Sequence, residues 1–528
     1  MIRGRVPITD NSRTRRILGM AALPLIGALA GLLSLGSLLH AAPPTESNGE
    51  NAAAWYRAGR DAVRAAKSRK PVTGKARNVI LFIGDGMGVS TVTATRILDG
   101  QKKGKKGEEH LLSFEHMPHT ALIKTYNTNQ QVPDSAGTMS AIATGLKTRA
   151  GVLSVTQIVE RGDHTNVKGN SPQTLLELSE KAGLSTGIVS TARVTHATPA
   201  ALYAHSPERN WECDADLSPS ARAAGFADVA RQLIEFPHGD GIDVIFGGGR
   251  REFLPKSVAD PEDKAVFGRR EDSRHLIDAW RAKPGRLFVW NTAQFESLVP
   301  ADNQKWLGLF ESSNLEYEFD RPRDTGGEPS LEALTRKAVQ ALALRGTGFF
   351  LLVEGARIDH AHHAGNAYRA LEDGIAFADA VQAARDMTDA ADTLIIVTAD
   401  HSHVFTMGGY PTRGNPILGK VVTNDGRGNP REKGAVDREG RPYTTLTYAN
   451  GPGFRKGTDR VDLDPIDTTR PEYMQDAAVP LSQESHGGED VALYAEGPQA
   501  YLFSGVLEQH VIFHVICEAF GWTPEGPK

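Results

Sequence analysis

The chain has 528 residues, a net charge of −5 and 40% hydrophobic residues. That is enough to bury a large core, and it gives no sign of a nucleic-acid-binding protein. Two cysteines, Cys213 and Cys517, are too few and too far apart for a disulfide scaffold; two isolated thiols are the default reading, although an exported chain would allow a bridge.

The N-terminus reads as an export signal. Arg13, Arg15 and Arg16 precede an apolar stretch from Ile17 to Leu39, followed by His40-Ala41-Ala42-Pro43. This fits a secretory leader over 1–42, cut near Ala41 or Ala42, and places the mature protein in the periplasm or outside the cell. Thr14-Arg15-Arg16-Ile17-Leu18 suggests the twin-arginine route; an uncleaved membrane anchor is the alternative. Residues 43–77 form an arm in which Ala52 to Lys70 is predicted as an amphipathic helix that clasps a partner subunit.

The short apolar run Asn78 to Ile83 predicts a buried strand, and it ends in Gly84-Asp85-Gly86-Met87-Gly88. The basic tract Lys102 to Lys106 reads as a solvated loop. In Pro133-Asp134-Ser135-Ala136-Gly137, Ser135 stands before a small-residue run predicted as a helix, where free N–H groups and the helix field favour anions. No G-x-S-x-G elbow surrounds Ser135, and no histidine base lies nearby in sequence, so metal coordination is the expected activator.

A second strand, Phe349 to Val353, stops at Glu354, and Asp359, His360, His362 and His363 follow closely. On a helix, Asp359 and His363 are i and i+4 and face one ion; carboxylate plus imidazole suits Zn²⁺. A third strand, Thr393 to Thr398, ends at Asp400-His401, and His486-Gly487-Gly488-Glu489-Asp490 adds a histidine in loose backbone. Strands of a parallel α/β sheet bind ligands at their carboxyl ends. Site residues scattered from Asp85 to His486 must converge, so one large α/β domain is expected.

Taken together, Asp85-Gly86-Met87-Gly88, Asp134-Ser135-Ala136, His196-Ala197-Thr198-Pro199, Glu354 through His363, Asp400-His401 and His486 through Asp490 resemble the alkaline phosphatase family in content and order. The resemblance implies an α/β fold with a large, mostly parallel central sheet flanked by helices on both faces, over 78–528. It also implies a crown-like insertion at 404–484, rich in turn signals, and a homodimer. The implied reaction is hydrolysis of small phosphomonoesters through a phosphoseryl intermediate, with broad specificity and an alkaline optimum.

The resemblance carries site roles with it. Asp359, His363 and His486 match the ligands of a first Zn²⁺, and Asp85, Asp400 and His401 those of a second, beside Ser135. Asp85, Thr198 and Glu354 match the Mg²⁺ ligands. Arg209 matches the arginine that grips the phosphate, with Arg193 a second candidate. His196 and His360 stand where many bacterial members carry Asp and Lys; this pairing resembles the vertebrate branch and implies weaker Mg²⁺ retention and a more alkaline optimum. That branch also carries Ca²⁺, and Glu262, Phe310 through its carbonyl, Glu311 and Glu328 occupy the matching positions, Glu328 in place of an aspartate. Two rival readings are a phosphodiesterase of the same superfamily and a non-catalytic phosphate- or metal-binding protein. Neither cysteine lies in a Cys-x-Pro-x-Arg context, which removes a sulfatase.

Overall fold

The computed structural model describes residues 51–455 and 460–523. The chain divides into two units, 1–68 and 69–528. In the first, the described residues form helix α1 (Ala52–Ser68), which buries none of its side chains within the chain. Trp55, Tyr56 and Val63 on α1 are exposed. The export signal expected over 1–42 lies outside the described residues. Among the described residues, no helix is long and apolar enough to cross a membrane.

The described residues of the second unit include fifteen strands. They are β1 (Asn78–Gly84), β2 (His119–Lys124), β3 (Ser185–Arg193), β4 (Val244–Gly248), β5 (Arg286–Val289), β6 (Lys305–Leu309), β7 (Phe349–Gly355) and β8 (Thr393–Thr398), then β9 (Ser402–His403), β10 (Phe405–Met407), β11 (Leu446–Gly451), β12 (Ala477–Pro480), β13 (His486–Gly487), β14 (Val491–Glu496) and β15 (Val506–Glu508). Ten of them make one sheet in the order β15-β2-β14-β8-β1-β7-β3-β4-β6-β5. Only β14 runs against the rest, pairing antiparallel with β2 and β8.

Burial explains the sequence pattern. β7 and β8 are buried along their whole length and β1 everywhere but its first residue, so they read as continuous apolar runs. Helices on both faces require that. Nearer the edge, β14 alternates buried and half-buried residues. The helices named below are α2 (Val89–Lys102), α3 (Ser135–Thr144), α4 (Arg357–His363) and α5 (Ala367–Met387). On α5, Phe377 meets Phe82 of β1 edge-on, with ring centres 5.8 Å apart.

Register positions the site. Ile83 pairs with both Glu354 and Thr398, so β8, β1 and β7 end at one level, side by side. The antiparallel pair β9–β13 sets His486 opposite His403. Between them, β10, β11 and β12 form a separate three-stranded sheet within residues 404–484. Cys213 and Cys517 are both buried and free.

Candidate active site

The three neighbouring strand ends deliver the carboxylates. Asp85 follows β1, Glu354 is the last residue but one of β7 and Asp400 follows β8, and all three are fully buried. After Asp85 the chain turns through Gly86 at φ +69°, a conformation open to glycine, and Gly86 N–H donates to Asp400 Oδ1 at 3.1 Å. A Cβ on Gly86 would lie 2.4 Å from the His403 ring. One turn past β7, α4 presents Asp359 and His363, with Nε2 to Oδ1 at 3.4 Å.

Ser135 opens α3 as its first helical residue, because Asp134 takes the cap: its carboxylate accepts from Gly137 N–H at 3.1 Å. The serine hydroxyl is thereby released from capping and sits 3.1 Å from His401 Nε2. No imidazole base was expected from the chain's order; His401 is in reach because β8 ends beside α3. The same nitrogen also faces Asp400 Oδ2 at 3.3 Å and Asp85 Oδ1 at 3.4 Å.

The donor chemistry fits cations. His363 Nδ1 lies 2.6 Å from the Glu484 carbonyl and His486 Nδ1 lies 2.7 Å from the Pro133 carbonyl. Each ring therefore donates its hydrogen to backbone and turns an Nε2 lone pair inward. These two Nε2 atoms face each other at 3.1 Å, and two lone pairs attract only through a cation between them. Ligand atoms of Asp359, His363, His403 and His486 lie within 4.8 Å of one another, as do those of Asp85, Asp359 and His401, and those of Asp85, His196 and Glu354. Both Asp85 oxygens, Glu354 Oε1 and Thr198 Oγ1 are buried without a hydrogen-bond partner among the described residues, which is costly unless an ion meets them.

Electrostatics agree. Burial, reinforced by the neighbouring Asp400 carboxylate, holds Asp85 well above the usual carboxylate range, and burial pushes Glu354 up to about 8. Burial also pushes His401 and His486 down to about 4, leaving the neutral, lone-pair form that metals bind. At Asp359, burial works upward but the His363, His403 and His486 rings overcome it and hold the carboxyl well below its ordinary value.

His403 and Glu484 are parts of the site that sequence reading missed. His403 Nε2 meets Asp359 Oδ1 at 2.8 Å and its Nδ1 meets Glu484 Oε2 at 2.5 Å. Burial raises Glu484 to about 9 and depresses His403. His403 thus bridges the two carboxyl groups, Nδ1 to Glu484 and Nε2 to Asp359. The available signal was spacing: His401 and His403 are two apart, though only the second lies in β9.

Arg209 Nη1 donates to Asp134 Oδ2 at 3.1 Å and Nη2 to His196 Nε2 at 3.1 Å, beside Ser135. Arg193, the second candidate, is held by both oxygens of Glu212 at 2.8 and 2.7 Å. The His196 and His360 rings meet edge-on, 5.6 Å apart.

Two of the acidic residues expected for Ca²⁺ come together with a third. Glu262, Glu311 and Asp324 place ligand atoms within 4.8 Å of one another, next to buried Phe310. Glu328 is not in that set; both its oxygens accept from Glu316 N–H at 3.0 Å. Asp324 Oδ2 is buried and unpartnered among the described residues. Burial and the Glu262 carboxylate raise Glu311 to about 7, while Arg250 Nη2 contacts Glu262 at 2.5 Å.

Residues 76–521 match the family model described as Alkaline phosphatase. The chain is 45% identical over 469 residues to the tissue-nonspecific isozyme of alkaline phosphatase from Gallus gallus, covering 87% of each. It is 43% identical over 463 residues to the Homo sapiens isozyme, covering 86% of each. Among solved structures, alkaline phosphatase from Thermus thermophilus aligns with TM-score 0.62 and 23% identity, over 88% of this chain and 95% of that one. The enzyme from the Antarctic bacterium TAB5 aligns with TM-score 0.58 and 21% identity, over 86% and 100%. These structural likenesses carry the fold, and the sequence matches carry the family. By these matches the chain belongs to the alkaline phosphatase family and is a hydrolase of phosphoric monoesters.

Proposed function

We propose that hydrolysis runs through phosphorylated Ser135 at a site for two Zn²⁺ and one Mg²⁺. Asp359, His363 and His486 would hold the first zinc, Asp85, Asp400 and His401 the second, and Asp85, Thr198 and Glu354 the magnesium. Bound there, such ions lower the pKa of hydroxyl and water and neutralise charge on entering and leaving oxygens. A mutant of the TAB5 enzyme is described with Mg bound in its M3 site, which supports a magnesium position in the family.

The protein's own part is positioning. Ser135 Oγ, released from capping by Asp134, attacks phosphorus as the ester oxygen departs with a proton. Water then forms the next bond to phosphorus, and the bond to Ser135 breaks. Arg209 holds two phosphoryl oxygens with its planar fork. Little else would touch the alcohol, which supports broad specificity.

The observation that carries this reading is the pair of inward Nε2 lone pairs at 3.1 Å, beside buried carboxylates with unpartnered oxygens. Glu262, Glu311 and the Phe310 carbonyl, with Asp324 in place of Glu328, are proposed as a Ca²⁺ site of oxygen donors. Export, a homodimer and clasping of the partner by α1 complete the proposal; the exposed Trp55, Tyr56 and Val63 support the last.

The test compares wild type and Ser135→Ala on an aryl phosphomonoester at alkaline pH, with an aryl phosphodiester alongside and zinc content measured. Zinc-dependent monoesterase activity is expected to fall by roughly 10³-fold or more in the variant. Dominant diesterase activity, or no turnover in the fully metallated protein, would overturn the proposal.

A further inference from the structure

The edge-on pair His196–His360 is bracketed by two arginines. At one end Arg209 Nη2 donates to His196 Nε2. At the other, Arg357 Nη1 donates to His360 Nδ1 at 3.2 Å. Among the described residues no carboxylate lies within 4.0 Å of Arg357. Its guanidinium carbon instead sits 3.7 Å from the centre of the Tyr317 ring, and its backbone N–H donates to Thr191 Oγ1 at 3.1 Å. Its Nε is buried without a partner.

These contacts decide which nitrogen of His360 carries hydrogen. A guanidinium is only ever a donor, so the Nδ1 it faces is an acceptor with a free lone pair. A neutral imidazole that accepts at Nδ1 carries its hydrogen on Nε2. By the same logic, Arg209 leaves His196 with its hydrogen on Nδ1. The face-on stack over Tyr317 fixes the plane of the Arg357 fork, a geometry that lysine would not reproduce. A line of contacts therefore runs from Tyr317 through Arg357, His360, His196 and Arg209 to Asp134, the residue before Ser135.

We propose that Arg357, seated on Tyr317, is a positioning residue that fixes His360 as its Nε2–H tautomer and, through the His196 contact with Arg209, steadies the guanidinium offered to the phosphoryl group. This rests on the monoesterase reading above. Tyr317 serves as the platform, and its ring matters more than its hydroxyl.

The test uses the holoenzyme labelled with ¹⁵N-histidine, the His360 signals being assigned with His360→Gln. The wild type is expected to show Nε2 protonated and Nδ1 bare. Arg357→Leu should mix the two tautomers and raise the inhibition constant of inorganic phosphate about tenfold, the worth of one hydrogen bond to a charged group. Arg357→Gln, whose amide still donates, should recover part of that loss. Tyr317→Phe should stay within about twofold of wild type, whereas Tyr317→Leu should follow Arg357→Leu. An Nδ1-protonated His360 in wild type would overturn the proposal. So would an Arg357→Leu enzyme with unchanged tautomer and phosphate inhibition, and if that variant fails to fold, Arg357→Gln and Tyr317→Leu decide by the same two readouts. The tautomer is read without turnover, so a chain inactive on monoesters would sink the functional reading and leave the tautomer assignment to stand or fall separately.

Discussion

Replacing Gly86 by alanine probes the closest approach in the site. Gly86 has φ +69°, which costs a residue with a Cβ about 1–2 kcal/mol. The new methyl would sit 2.4 Å from Cδ2 and Nε2 of His403, against an ordinary carbon contact of about 3.5–4.0 Å. The ring must retreat by about 1 Å, an overpacking cost of about 1–3 kcal/mol. Together these predict a loss of about 2–5 kcal/mol in the metal-stripped protein, measured by urea unfolding. Retreat also breaks the 2.8 Å contact from His403 to Asp359. Losing such a support of a ligand costs roughly 10–100-fold in metal affinity, read by competition with a chromophoric zinc chelator. Adding His403→Ala to Gly86→Ala should return the steric part of the stability and none of the zinc affinity. A loss below about 1 kcal/mol with unchanged zinc affinity would refute the reasoning, because the wedge between Gly86 and His403 would then not exist.

Other expectations follow from the same geometry. Arg209→Ala should lower kcat/KM for an aryl phosphate by about 10–100-fold, and Arg209→Lys should restore little of it, since a point charge cannot bridge two phosphoryl oxygens; full rescue by lysine would remove the bidentate role. Asp324→Asn should abolish calorimetric Ca²⁺ binding at the Glu262–Glu311 cluster while Glu328→Gln leaves it, and the reverse result would return Glu328 to the ligand set. Burial, with the Glu311 and Asp324 carboxylates adding to it, raises Glu328 to about 9 from an ordinary 4.5. The folded state thus favours its protonated form. Its contribution to stability is present in full below about pH 4.5 and is lost as pH rises through about 9, at up to about 1.4 kcal/mol per pH unit. Unfolding of the calcium-free protein across pH 5–9 should therefore slope less steeply in Glu328→Gln; parallel slopes would show that Glu328 ionises normally.

The strands that carry the site were legible because burial on both faces writes itself as unbroken apolar runs: Asn78 to Ile83, Phe349 to Val353 and Thr393 to Thr398 all became central strands. The carboxylates were legible for the complementary reason, as charged residues standing where such runs stop. Asp359 and His363 were readable from helical spacing, and α4 bears them. Ser135 was readable as a helix start, yet Asp134, and not Ser135, takes the cap.

What could not be read depended on which distant groups meet. His403 touches Glu484 across 81 positions, and only the pairing of β9 with β13 brings them together. Likewise, the approach of Asp324 to Glu262 and Glu311, and the Glu316 N–H that meets Glu328, are contained in no spacing rule. Arg357 and His360 are three apart on α4, but Tyr317, the ring that holds Arg357, comes from a separate loop. Residue type and local period are properties of the chain itself, so the sequence by itself determined the strands, the carboxylates at their ends and the donor chemistry. Hydrogen-bond partners, tautomers and burial are properties of neighbours, and those were decided only when the parallel register of β8, β1 and β7 drew the strand ends to one level.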